Sequence, residues 1–355
     1  MNESLDLVSK WLQTDLDEWT RRVVRRHFDP ETGSPYWLKR KSELDFDPLD
    51  ITCYDELGAF GPFPLGILRG IDPAELVPLA VPRPIAGRVW ESGGTTGDPC
   101  RVLYTPEMTR QREAWRHWSF DFEGFPTEGN WLQATPTGPH LIGNGIPEVS
   151  SYGGRIYAID ADPRWVKRLI RAGKLAEADE YTDHIIEQIA MILRNQGIDY
   201  LNTTPVLLNA LIRREPEMSA QLKGVRISGT HITPTMMRLF REVLGPDAII
   251  GRSYGNTFGS SAGIRGPEGG ELLPYLSNFP HITLSVVDKA DWMRTVEYGE
   301  LGQVMLTAMH DNLFLPNILE RDQALRFDTG DVYPCDGVAN VVPLQMTRSA
   351  PEGIY

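Results

Sequence analysis

The chain is short of cysteine, of clustered positive charge and of long apolar runs, and each shortage excludes something. Its 355 residues include only Cys53, Cys100 and Cys335. That odd number, without C-x-x-C spacing, indicates neither a disulfide framework nor a zinc ribbon, and fits a reducing cytoplasm. Arg21, Arg22, Arg25 and Arg26 form the densest basic cluster, yet Asp15, Asp17 and Glu18 stand beside them on an amphipathic segment. The cluster therefore reads as a solvated helix face. With a formal net charge of −13, the chain would repel nucleic acid or an anionic membrane, so neither is expected as a partner. No apolar run approaches the roughly 20 residues a membrane helix needs. The N-terminus, Met1-Asn2-Glu3-Ser4-Leu5-Asp6, has neither the basic nor the apolar part of a signal peptide.

What is present reads as an ordinary folded α/β protein, with 41% hydrophobic and 23% charged residues. The length suits two or three packed subdomains. Leu5, Val8, Leu12, Leu16, Trp19 and Val23 mark one amphipathic helix from Leu5 to Phe28, and short helices between Asp29 and Pro84 wrap the next domain. Thereafter strand and helix alternate. A helix over 106–122, a strand over 131–135 and a helix over 181–196 are followed by a strand over 198–202 and a helix over 205–214. A strand ending in a turn over 224–230, a helix over 233–244 and a strand over 248–250 complete the series. This order implies a mostly parallel sheet with flanking helices. Shorter strands after Gly270 read as a smaller β-rich subdomain. The expected parts are an N-terminal helical wrap (1–84), nucleotide- and acyl-binding α/β subdomains (85–270) and the β-rich part (271–355).

The stretch Glu91-Ser92-Gly93-Gly94-Thr95-Thr96-Gly97-Asp98-Pro99 concentrates three glycines and three hydroxyls after a β-like run. Glycine lets backbone N–H groups approach an anion, and the hydroxyls add donors, so the composition suits a phosphate cradle. An ordinary hairpin turn has the same composition. Gly97 is followed by Asp98 rather than by lysine, which rules out a Walker A loop. Two more turns carry ligand-type residues: Ser253-Tyr254-Gly255-Asn256-Thr257, whose ring could stack on a base, and Asp328-Thr329-Gly330-Asp331, whose carboxylate could accept from ribose. Together the three describe a nucleotide. The loop from Pro136 to Gly145 follows a strand end, where α/β proteins bind ligands, and His140 is its candidate ligand-facing histidine.

These turns resemble the motifs of the acyl-adenylate-forming superfamily, and most closely those of its phenylacetate-CoA ligase branch. Ser92-Gly93-Gly94-Thr95-Thr96-Gly97-Asp98-Pro99 is similar to the family's phosphate loop, and Tyr254-Gly255-Asn256-Thr257 to its aromatic-Gly-x-Thr-Glu motif. Gly299-Glu300-Leu301-Gly302 is similar to its Gly-Glu-x-Gly element, and Thr329-Gly330-Asp331 to its Thr-Gly-Asp motif. Ser228-Gly229-Thr230 falls where the family has its adenine-side turn. The resemblance implies ATP as cofactor, held by Ser92, Gly93, Gly94, Thr95, Thr96 and Gly97 on phosphates. It puts Gly229, Thr230, Tyr254, Gly255 and Asn256 about adenine, Thr257 on the α-phosphate, Asp331 on ribose and His140 beside the acyl group. Mg²⁺ would accompany ATP, although Phe258 stands where the motif has its glutamate, and Cys100 replaces a frequent lysine. The family continues into a C-terminal domain of about 100 residues, near the usual domain size, where this chain ends. Truncated members of this kind are similar to the adenylation-like proteins of phenazine antibiotic biosynthesis. The implied substrate is an aryl carboxylic acid such as a phenazine carboxylate, with an acyl acceptor or tailoring enzyme as partner, and a homodimer is compatible with it.

Two other readings stay open. One is a catalytically impaired protein that binds an aryl acid and nucleotide for a partner enzyme. The other is a serine hydrolase, because Gly251-Arg252-Ser253-Tyr254-Gly255 fits a G-x-S-x-G elbow and His281 and His310 follow it.

Overall fold

Proline opens helices here rather than breaking them. In a computed structural model describing residues 2–94, 97–264, 266 and 270–344, five helices place proline at a first-turn position after Ser, Thr or Asp. There its missing N–H is not needed and its fixed φ suits the helix.

The N-terminal stretch expected as one helix is two, α1 (Asn2–Trp11) and α2 (Leu16–Phe28). Asp15 causes the break: its backbone is extended and its carboxylate accepts from Glu18 N at 2.8 Å, which caps a new helix. α3 (Pro35–Arg40) leads into a series of short 3-10 turns ending at Leu76. β1 (Arg88–Glu91) and β2 (Arg101–Tyr104) pair antiparallel on either side of the glycine loop. α4 (Pro106–Glu123) follows, capped by Thr105.

Next come β3 (Asn130–Ala134), α5 (Gly145–Tyr152), β4 (Arg155–Ala158), α6 (Pro163–Arg171) and α7 (Leu175–Asn195). They are followed by β5 (Tyr200–Thr203), α8 (Pro205–Arg214), α9 (Pro216–Ser219), β6 (Gly224–Ile227), α10 (Pro234–Leu244) and β7 (Ile249–Arg252). The strands form a parallel sheet in the order β4-β3-β5-β6-β7, as the alternation requires. Successive side chains point to opposite faces. Leu132 and Leu201 enter a core with Ile185, Leu208 and Phe240, whereas Trp131 and Tyr200 enter an aromatic cluster with Phe120, Phe125 and Tyr152. Both faces are thus covered by helices, as a parallel sheet demands.

The last third is antiparallel: β8 (Ser261–Gly263), β9 (Pro274–Ser277), β10 (Ile282–Val287), β11 (Leu301–His310), β12 (Leu313–Phe327) and β13 (Gly337–Pro343) pair in the order β10-β11-β12-β13-β9-β8. Its core is shared with the N-terminal helices, since Val23, Phe28, Trp37 and Phe60 pack with Phe314, Leu315 and Val304. The indole N–H groups of Trp19 and Trp37 donate to the backbone carbonyls of Met309 and Phe314, which seats a large apolar ring without stranding its donor. Among the described residues no helix is long and apolar enough to cross a membrane.

Candidate functional site

In a parallel sheet every strand discharges at the same edge, and ligands sit beyond it. Here β3 leads to the loop containing His140, β6 to Ser228-Gly229 and β7 to the segment from Ser253 to Thr257. Opposite them lie the glycine loop and residues 319–321 of β12. A cavity of about 330 Å³ lies between, lined by Ser92, Gly93, Gly94, Ser228, Gly229 and the whole run from Ser253 to Phe258. Two of the three ligand-type turns, the glycine loop and the Ser253–Thr257 segment, therefore meet at one place with Ser228-Gly229, whereas the turn Asp328–Asp331 is not part of this lining.

The glycine loop is closed at its base by Ser92. Its N–H donates to Cys100 O, and Cys100 N donates to Ser92 Oγ, both at 2.9 Å. The Ser92 hydroxyl thus accepts from the loop and keeps its own hydrogen for a ligand. Gly94 has φ +62°, the left-handed region that favours glycine. A Cβ on Gly97 would stand 3.1 Å from Arg69 Nη1, so the Arg69 guanidinium lies close under the loop.

The Tyr254 segment is fixed from two sides. Tyr254 Oη donates to Asp322 Oδ2 at 2.9 Å, and Asn256 Nδ2 donates to Glu320 Oε1 at 2.5 Å. Asn256 Oδ1 accepts from Phe258 N and Gly259 N, a local turn that needs a short polar side chain. Tyr104 Oη donates to the Thr257 carbonyl at 3.2 Å, leaving the Thr257 side chain on the cavity wall.

The electrostatics of this wall run against those of the chain. Arg69, Arg112, Arg116, Lys167 and Arg321 all line the cavity, against Asp98 and Glu320. Arg112 and Arg116, one helical turn apart on α4, share the buried Glu148, their Nε atoms donating to its two oxygens at 2.7 and 2.9 Å. Burial pushes the Glu148 carboxyl up, but the two guanidinium groups outweigh it and hold it below the usual carboxylate value. Glu320 goes the other way: burial first, then the charge of Asp322, pushes its carboxyl up to about 8.

The sequence-predicted residues separate into four groups. Ser92, Gly93, Gly94, Gly229, Tyr254, Gly255, Asn256 and Thr257 come together on the cavity wall. His140 is buried behind it, with its neighbours Leu141 and Ile142 on the wall. Burial, then Arg164 and Lys167, lowers its imidazole to about 4, so it is neutral near pH 7. Gly97, Thr230 and Asp331 stand outside the lining, Asp331 exposed in the turn Gly330–Val332. Thr95 and Thr96 lie outside the described residues. Tryptophan is absent from the described lining of this cavity. Trp19, Trp37, Trp90, Trp115 and Trp131 are buried in cores instead, and the rings on the wall are those of Tyr254 and Phe258.

The hydrolase arrangement does not form among the described residues. His281 stacks on His310 between Trp11 and Trp19 with both ring nitrogens lacking a hydrogen bond, and His310 Nδ1 pairs with Gln111 Oε1 at 2.7 Å. No hydrogen bond joins either to Ser253. Reading the motifs alone missed all five cationic side chains. One signal was available: two arginines at i and i+4 repel unless an anion lies between them.

No family model matches the chain, and no curated protein matches it. Solved structures do. A 2-hydroxyisobutyryl-CoA ligase in complex with 2-HIB-AMP and CoA, in its thioesterification state, aligns with a TM-score of 0.64 at 16% identity over 93% of this chain and 67% of its own. An open conformation of that ligase with the same ligands aligns with a TM-score of 0.64 at 16% identity, covering 92% of this chain and 72% of its own. The chain thus shares its α/β fold with these ligase structures and spans about two thirds of their length.

Proposed function

We infer that the chain activates a carboxylic acid with ATP. A carboxylate oxygen attacks the α-phosphorus, the bond to the leaving pyrophosphate breaks, and an acyl-adenylate forms. The observation that carries this reading is the meeting of the Ser92 loop, Gly229 and the Tyr254–Thr257 segment on one cation-lined cavity in an acidic chain. The expected roles follow from chemistry. The loop N–H groups and the Ser92 hydroxyl hold phosphate oxygens, the Tyr254 ring lies along adenine and the Thr257 hydroxyl meets the α-phosphate; the ribose role of Asp331 rests on the motif resemblance, since its side chain stands outside this lining. Neutral His140 shapes the acid side without adding charge. Such a site acts by positioning and by stabilising charge on phosphoryl oxygens.

For the acid we favour an aryl carboxylate, a phenazine carboxylate among them. The likeness to the phenylacetate-CoA ligase branch supports it, as does an apolar strip of Leu65, Leu141, Ile142, Phe258 and Leu319 on the wall. Mg²⁺ fits less well. Phe258, buried and packed in the core, takes the place of the motif's glutamate. This favours one second reading, a protein that binds acid and nucleotide for a partner enzyme without efficient chemistry of its own.

ATP–pyrophosphate exchange across a panel of aryl acids with Mg²⁺ decides between them. Exchange dependent on one acid establishes adenylation and names the substrate. Binding of an aryl acid by calorimetry without exchange gives the second reading, and neither exchange nor binding sinks both.

A further inference from the structure

Lys167 sits on the inward stripe of α6 with Val166 and Leu169 and is only 8% exposed, yet it lines the 330 Å³ cavity. Arg321 reaches the same cavity from β12, on the other sheet. Burial first, then Arg171, Arg321 and Arg164, lowers the titration of the Lys167 ammonium. Glu91, the carboxylate at the foot of the glycine loop, is engaged by Arg101 at 2.9 Å and by Arg164. That pairing also ties α6 to the loop, so Lys167, one turn beyond Arg164, is held near the loop's base. The loop itself runs Gly97-Asp98-Pro99-Cys100 without a lysine.

We propose that Lys167 and Arg321 form a phosphate clamp across this cavity, gripping a phosphate group of the ligand between α6 and β12 where the glycine loop offers only neutral donors. A phosphate in this cavity can take charge-assisted hydrogen bonds from both side chains, which line it from α6 and from β12. The clamp rests on reading the cavity as a nucleotide site. The phosphates it holds belong either to the terminal part of the nucleotide, released as pyrophosphate, or to a phosphorylated acyl acceptor of the coenzyme A type.

The test is calorimetric titration of the wild-type chain, K167Q and R321Q with inorganic pyrophosphate, coenzyme A and AMP at low ionic strength. Each substitution removes one charge-assisted hydrogen bond, so pyrophosphate affinity should fall about tenfold or more in both variants. AMP, which lacks the terminal phosphates, should bind all three proteins equally. Arg321 is exposed, so R321Q keeps the test alive even if K167Q folds poorly. Coenzyme A affinity that depends on the two residues, with pyrophosphate indifferent, assigns the clamp to an acceptor. The proposal is overturned if both anions bind the variants as they bind the wild type, or if neither binds the wild type. Pyrophosphate binding that needs Lys167, without any AMP binding, sinks the nucleotide reading and leaves the clamp standing.

Discussion

Glu148 carries two opposite demands, one on stability and one on the site. Its carboxylate is almost fully buried and shared by Arg112 and Arg116, with Asn144 Nδ2 donating to it as well at 2.9 Å. Removing one partner of a buried ionic cluster leaves uncompensated charge, which costs about 3–5 kcal/mol. E148Q should therefore unfold at a clearly lower urea concentration, by about that amount, with unchanged urea dependence. Because the folded carboxyl titrates below its usual value, its contribution is full above the ordinary glutamate range and is lost as pH falls through it. The acid limb of the stability profile should flatten in E148Q. Glu320 gives the opposite sign. Its folded carboxyl is raised to about 8, so the folded state holds a proton that the unfolded state releases near pH 4.3. Stability then declines as pH rises from about 5 to 8, and E320Q should remove that decline. If wild type and E320Q run parallel over this range in denaturation curves, the raised value is wrong. At this scale the sequence was half legible. Ser92, Tyr254 and Thr257 declare themselves by turn chemistry, whereas Glu320 and Lys167 look like surface residues until packing buries them.

At the scale of single elements the text of the chain is most readable where capping chemistry and proline coincide. Thr204-Pro205 and Thr233-Pro234 fix the starts of α8 and α10, each threonine Oγ1 accepting from the third residue onward at 3.2 Å. T233A should cost about 1 kcal/mol in denaturant unfolding, the usual worth of such a cap, and T233S should recover most of it. An unchanged midpoint in T233A would show that packing of Phe240 and Leu244, both buried, sets the helix alone. The strand expected to end in a turn by residue 230 runs over Gly224–Ile227, and Gly229, with φ +89°, makes the turn toward the cavity. The single helix expected over residues 5–28 is two. Periodicity runs through the break unaltered, and only the capping geometry of Asp15 divides it. The i,i+4 pair of arginines on α4 was visible but unread, since its anion comes from α5, 32 residues beyond Arg116.

The whole molecule is acidic outside and cationic in its cavity, and this contrast could not be read along the chain. Alternation announces the parallel sheet, but the wall that completes the site comes from β12 and from the segment before β1, whose placement depends on the core shared by the N-terminal helices and the antiparallel sheet. Only when those surfaces close do five cationic side chains of a chain with net charge −13 face one space. Two consequences follow for a polyanionic ligand. It is repelled by the general surface and attracted by the cavity, and added salt weakens both, the attraction at short range being the term that holds the complex. If ATP binds the folded chain alone, a hundredfold excess over its dissociation constant stabilises by about 2.7 kcal/mol. At low ionic strength ATP should therefore raise the unfolding midpoint, and more than AMP does. In 1 M salt, where the screening length falls to about 3 Å, the ATP increment should shrink toward the AMP increment, each being compared with the ligand-free protein in the same salt. An ATP increment that survives 1 M salt undiminished would mean that contacts other than the charges of Lys167, Arg321 and Arg69 hold the triphosphate. No increment from either nucleotide at low salt would take the nucleotide out of this cavity.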